Sequence, residues 1–288
     1  MLDLIDLDIP SLGYAQFIAA WLYDGPGGAF LVDPGPACTI PLLLESLENR
    51  RIRRLDWILL THIHLDHAGG IGHLVEKFPD ARVACHERAV KHLVDPDRLW
   101  EGSLKVLGRV AQTYGAIKPV PAGNIVTKGE LEFEGGIRAM DAPGHAVHHQ
   151  CFVFKDWLFC GELFGIMLAR DRDIYLRPAT PPRIDLEALF ASMDRMEPEI
   201  NRRICFGHYG HFPDGPRILA IARAQLQLWV DVIGRHAAES DKKSIMAELI
   251  KADPIYAGIR DLPEPLYNRE AFFSLNAISG ILQALNPG

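Results

Sequence analysis

Paired cysteine is missing from this chain. Its 288 residues include five cysteines, Cys38, Cys85, Cys151, Cys160 and Cys205, odd in number, scattered and without CxxC spacing. That pattern excludes a disulfide framework or a thiolate zinc site and predicts reduced, mostly buried thiols. Long apolar runs are also missing: none approaches the roughly 20 residues of a membrane span, so no membrane contact is expected. The opening MLDLIDLDIP alternates acidic and apolar side chains, with neither a basic n-region nor an apolar h-region. A secretory signal is therefore not expected, and the cytoplasm is the expected location. Nor is positive charge in excess, with 30 basic against 37 acidic residues and a net charge of −7. The basic residues are dispersed apart from 51–54 and 201–203, which argues against a nucleic-acid partner.

What the chain does have is a heptad, Thr-His-Ile-His-Leu-Asp-His at 61–67, directly after an apolar, strand-like run at 55–60. Three imidazoles and a carboxylate in the spacing HxHxDH sit in a chain of only 12 histidines. Neutral imidazole is the commonest nitrogen donor to zinc and related metals, so four such groups at fixed offsets point to a metal site. Further donors follow apolar strands downstream and are flanked by glycine: His145 in Pro-Gly-His, Glu162 in Cys-Gly-Glu and His208 in Phe-Gly-His. Glycine suits a loop that must bring its backbone close to a shared site.

Around these residues the pattern is mixed. Strands are predicted at 2–9, 17–23, 28–32, 55–60 and 82–85, and again in a strand-rich block from 125 to 160 and at 203–206. Helical spacing appears at 40–47, 71–77, 87–114 with a break at Asp95-Pro96-Asp97, and 186–196. The expected class is α+β, a four-layer αββα sandwich in which each sheet is buried between its partner and helices. Residues 1–215 would form that domain. Residues 216–288, helical at 218–237, 242–252 and 271–285, would be an extension packed on it, capping the domain or building a substrate wall. The last helix carries Phe272, Phe273, Leu275, Ile278, Ile281 and Leu282 on one broad face. Packing on the body is the expectation, with a homodimer contact as the alternative.

On the HxHxDH heptad with His145, Glu162 and His208, the chain resembles the metallo-β-lactamase superfamily over roughly residues 10 to 215, nearest in outline to its hydroxyacylglutathione hydrolase-like and lactonase-like branches. The resemblance implies two divalent metal ions, zinc first, with iron or manganese as alternatives. It assigns His62, His64 and His145 to one metal and Asp66, His67 and His208 to the other. Glu162 stands where the family places a bridging Asp, a departure by one methylene. Asp33, in Leu-Val-Asp-Pro-Gly, resembles the family's acidic partner to a metal-bound imidazole, and His149 matches a second histidine of the hydroxyacylglutathione hydrolases.

The implied activity is metal-dependent hydrolysis of a small molecule, with a metal-bound hydroxide attacking an ester-like carbon and Asp66 serving as both ligand and hydrogen-bond partner. A thioester or ester is the expected substrate. A lactone is the alternative, although Gly165 occupies the place where the lactonases carry a substrate-binding Tyr. Iron-dependent redox or oxygen chemistry, or a metal-sensing role, is the alternative from a different class. The segment 166–183, with Arg170, Arg172, Tyr175 and Arg177, has no clear periodicity and is the expected substrate loop, its arginines suited to a carboxylate or phosphate.

Overall fold

The computed structural model describes residues 1–127, 131–169, 174–236 and 241–286. The chain opens with strands β1 (Leu2–Ile9), β2 (Tyr14–Gly25) and β3 (Gly28–Val32), an antiparallel meander. Three parallel strands then extend the sheet: β4 (Trp57–Leu59), β5 (Arg82–Ala84) and β6 (Ile125–Val126). Parallel neighbours need crossovers, and helices supply them. Helix α1 (Ile40–Asn49) joins β3 to β4, and α2 (Leu65–Ala68) with α3 (Ile71–Lys77) joins β4 to β5. The run α4 (Val90–Val94), α5 (Asp97–Leu107) and α6 (Arg109–Tyr114) joins β5 to β6. The expected strand block from 125 thus splits, because β6 completes the first sheet and only the later strands begin the second.

That second sheet runs β13-β12-β9-β8-β7, from β7 (Arg138–Asp141), β8 (Gln150–Phe154), β9 (Trp157–Gly161), β12 (Arg203–Phe206) and β13 (His211–Phe212). Strands β10 (Ile166–Ala169) and β11 (Ile174–Arg177) pair antiparallel with each other, so 166–169 and 174–177 are strands where a loop is expected. Arg170 and Arg172 lie outside the described residues. Helices α7 (Leu186–Met196), α8 (Gly215–Arg235), α9 (Lys242–Ala252) and α10 (Glu264–Leu285) complete the chain. Asp185, Asp214 and Asp241 cap the first three of these by accepting a backbone N–H from the first turn.

The layer order follows from which face each side chain takes. Along β2, Ile18, Ala20 and Leu22 pack outward under α1, α3 and α6, whereas Ala19, Trp21 and Tyr23 point inward to the other sheet. Phe30, Phe152, Phe154 and Phe159 meet them there. The rings of Phe30 and Phe154 lie edge to face at 5.1 Å, a geometry worth about 0.5–1.5 kcal/mol beyond the area buried. On the far side of the second sheet, Val153, Leu158 and Ile204 pack with residues of α7 and α8. The result is the expected αββα sandwich. A further core joins Trp229, Ile245, Tyr256 and Ile278 of the C-terminal region to Leu168 and Tyr175 of the hairpin.

Candidate metal centre

The heptad sits where β4 ends, and α2 begins within it at Leu65. His145 follows β7, Glu162 follows β9 and His208 follows β12, so strand ends of both sheets deliver donors to one edge, the usual location of sites in open α/β sheets. Two glycines allow this closeness. A side chain at Gly161, whose φ is +53°, would meet the ring of His149 at 2.5 Å, and one at Gly207 would meet the ring of His67 at 2.7 Å.

Two groups of donor atoms result, His62, His64, His145 and Glu162 in one and Asp66, His67 and His208 in the other. In the first, His64 Nδ1 is 3.0 Å from both His62 Nε2 and His145 Nε2. Glu162 Oε2 lies 3.2 Å from His62 Nε2 and 2.7 Å from His145 Nε2. In the second, His67 Nε2 and His208 Nε2 face each other at 3.1 Å, and Asp66 Oδ2 lies 3.5 Å from the latter. The glutamate reaches both groups, with Oε2 3.6 Å from His67 Nε2 and Oε1 3.8 Å from His208 Nε2. The carboxylate of Glu162 therefore stands between the two sets.

The outer ring nitrogens explain why the inner ones converge. Asp33 accepts from the backbone N–H of Thr61 at 2.8 Å, from its hydroxyl at 2.7 Å and from His67 Nδ1 at 3.0 Å. Because that hydroxyl donates to Asp33, it accepts from His62 Nδ1, 3.1 Å away. His145 Nδ1 donates to the carbonyl of Ala179 at 2.9 Å, and His208 Nδ1 to that of Phe17 at 2.7 Å. Four imidazoles thus spend their Nδ1 protons outward and turn their Nε2 atoms inward, an orientation in which those nitrogens can hold a cation once they give up any proton. Asp33 adopts φ +52°, an unfavourable conformation for a non-glycine residue retained where it serves this network. His149, fully buried, accepts the backbone N–H of Glu162 at 3.1 Å and so fixes the loop that carries the acid.

Charge in the site is tightly linked. Burial, reinforced by the neighbouring imidazoles, pushes His62 well below its ordinary value and His64 down to about 4. Burial opposes protonation of His67 and His145 too. The acids Asp33, Asp66 and Glu162 outweigh it at His67, and Glu162 outweighs it at His145, so both are raised. Burial pushes Glu162 up, yet His145, His62 and His67 hold it well below the carboxylate range. Buried carboxylates thus require compensating cations, which imidazolium or a bound metal can provide.

Above the donors opens a cleft of about 490 Å³, with His64, Asp66, His145, Glu162 and His208 at its base. One wall is α5, with Leu99 and Val106 flanked by Arg98 and Lys105; another is α10, with Arg269, Glu270 and Phe273; Pro181, Pro182 and Arg183 close a third side. Tyr175 and Arg177 of the expected substrate loop are both buried and bind Glu270, at 3.1 Å and 2.5 Å. Arg177 still borders the cleft. The wall from α10 was an alternative for the C-terminal helices, whereas Thr61, Tyr114 and the wall from α5 are the parts of the site that sequence reading missed. His148, adjacent to His149 in sequence, also lines the cleft, whereas the ring of His211 packs edge-on to Trp21 and Trp157.

A family model described as the metallo-beta-lactamase superfamily matches residues 13–208. The chain belongs to that superfamily. A metallo-beta-lactamase fold-containing protein of Sulfurisphaera tokodaii is 30% identical over 210 residues, which span 68% of this chain and 77% of that protein. A hydroxyacylglutathione hydrolase of Xylella fastidiosa is 31% identical over 193 residues, spanning 65% of this chain and 58% of that enzyme. The solved structure of a metallo-beta-lactamase family protein from Thermus thermophilus matches with a TM-score of 0.68 over 99% of this chain and 93% of that one. At 21% identity that likeness concerns the fold, and it extends through the C-terminal helices. As a superfamily member with metallo-hydrolase relatives, the chain carries His, Asp and Glu clusters suited to divalent metal.

Proposed function

We propose that this protein is a metal-dependent hydrolase cleaving a thioester or ester of a small molecule, with two divalent ions, zinc by preference, held by His62, His64, His145, Asp66, His67 and His208 and shared through Glu162. The observation that carries the reading is the convergence of four Nε2 atoms whose partner nitrogens are all committed outward, beneath a cleft lined by His145 and His208. When bound, a pair of divalent ions supplies an acidified water and polarises a carbonyl, so no serine or cysteine nucleophile is required. The thiols agree with that division of labour: burial raises Cys85, Cys151, Cys160 and Cys205, leaving them inert.

The chain's own residues do the rest. Leu99, Val106 and Phe273 offer apolar surface to an acyl group and exclude water from the scissile bond. Arg98, Lys105 and Arg183 give the cleft a cationic rim for an anionic leaving portion. Although burial pushes Asp66 up, His208 and His67 hold it ionised, and it borders the cleft where it can take a proton from the attacking water. Residues 1–215 would carry the chemistry and 216–288 would supply one wall of the cleft.

The test is metal analysis of protein purified without added metal, together with a turnover panel of thioesters, esters and lactones. Two zinc ions per chain and thioester or ester turnover abolished by chelation are expected. His64→Ala should lose more than the roughly 10–100-fold typical of losing an outer partner of a metal ligand. Full activity after complete chelation, or intact turnover in His64→Ala, would sink the reading.

A further inference from the structure

His148 belongs to neither donor group, yet it lines the cleft beside them. Its ring lies nearly parallel to that of His62, at 14° with 6.4 Å between centroids, and stands edge-on to His64 at 6.1 Å. The segment that carries it is held in place. His149 donates its backbone N–H to the carbonyl of Ala146 at 3.1 Å, closing a turn around His148, and Gln150 donates its own to the carbonyl of Thr61 at 2.8 Å. Nδ1 of His148 is buried without a hydrogen-bond partner among the described residues, which leaves Nε2 as the nitrogen that faces the cleft. An apolar ring of similar size would fill this place without the cost of desolvating a nitrogen. Histidine is therefore understandable here when its other nitrogen serves a ligand. Burial, with His64 and His145 beside it, pushes the imidazole down to about 3, so the ring is neutral.

We propose that His148 is a catalytic residue, its Nε2–H donating a hydrogen bond to the carbonyl oxygen of a substrate seated over His62, His64 and His145. A proton on Nδ1 would be sealed away from every acceptor, whereas a proton on Nε2 sits where a partner can arrive. The carbonyl oxygen gains negative charge as its carbon becomes tetrahedral. A donor already fixed beside it then binds the transition state more tightly than the ground state. The proton stays on Nε2 throughout; the ring stabilises charge and transfers nothing. The inference rests on the hydrolase reading and adds a role for a residue outside the metal-donor set.

The test compares His148→Phe and His148→Gln in the full, zinc-loaded chain. Phenylalanine keeps the ring and loses the donor, whereas the glutamine amide restores an N–H at a similar reach. For His148→Phe, kcat on the ester and thioester panel should fall on the order of 10²-fold, the usual loss when one oxyanion donor is removed. Its KM, metal content and melting temperature should stay close to wild type, since no internal hydrogen bond is lost. His148→Gln should recover much of the rate. A trifluoromethyl alkyl ketone, which hydrates to a tetrahedral mimic, should bind His148→Phe more weakly than wild type, and the trifluoroalkane lacking that oxygen should bind both alike. Wild-type kcat in His148→Phe would overturn the proposal, as would a glutamine variant equally slow. Loss of metal from His148→Phe would also overturn it, by showing that the ring supports the donors instead. If the wild type shows no metal-dependent hydrolysis, the hydrolase reading falls, and the ketone and the alkane still decide separately whether His148 grips an oxygen.

Discussion

Asp33 binds three donors at once, and its loss should be felt at a distance of one bond from the metal. Its carboxylate fixes Thr61 through backbone and hydroxyl and holds the Nδ1 proton of His67, so two imidazole tautomers depend on it. Asp33→Ala is expected to weaken metal binding roughly 10–100-fold while leaving the donors themselves in place. Competition against a metallochromic chelator measures this, and an unchanged affinity would show that the tautomers are set by other means. At this scale the sequence is unusually informative, because His62, His64, Asp66 and His67 are crowded into one heptad. Asp33 was legible from its place after β3. The partners of His145 and His208 were not, since backbone carbonyls of Ala179 and Phe17 carry no side-chain signal.

Helix α10 is bound to the body by a buried ionic cluster rather than by its apolar face alone. Glu270 accepts from Arg177 of β11 at 2.5 Å, from Tyr175 at 3.1 Å and from Arg269 at 2.9 Å, and Arg269 also donates to the carbonyls of Ala15 and Gln16 at the start of β2. Removing the single carboxylate would strand two guanidinium groups that are 4% and 3% exposed. Glu270→Ala should therefore cost about 3–5 kcal/mol in urea unfolding, the range for breaking a buried ion pair from one side. A loss below about 1 kcal/mol would mean that solvent reaches the cluster and screens it. This cluster also explains why the segment after Glu162 misled the sequence reading. Strands β10 and β11 are buried between the second sheet and the C-terminal helices, so they lack the alternation that marks β1 as half-buried. Arg177, suited by sequence to a substrate anion, is committed to an internal one.

Across the whole molecule, the site is assembled from both sheets, so binding at the site should be transmitted to global stability. The sandwich was legible because its strands and helices alternate with clear periods. Of the cleft only the C-terminal wall was foreseeable, since α5, which faces α10 from more than 150 residues away in the chain, carries no signal of that pairing. Metal that binds only the folded state stabilises it by about 2.7 kcal/mol at 100 times Kd. For a chain this large that corresponds to a melting temperature roughly 4–5 °C higher. The size of the effect should depend on pH in a definite direction. In the metal-free protein His67 and His145 have folded values above the ordinary 6.5, so their contribution is complete below pH 6.5 and is lost as pH rises through the raised values. Metal must displace those same protons, so its binding strengthens over that interval. The gap in melting temperature between loaded and chelated protein should therefore widen as pH rises above 6.5. Paired thermal scans across that range measure it, and a gap that is constant or narrows would show that His67 and His145 do not release protons to a metal.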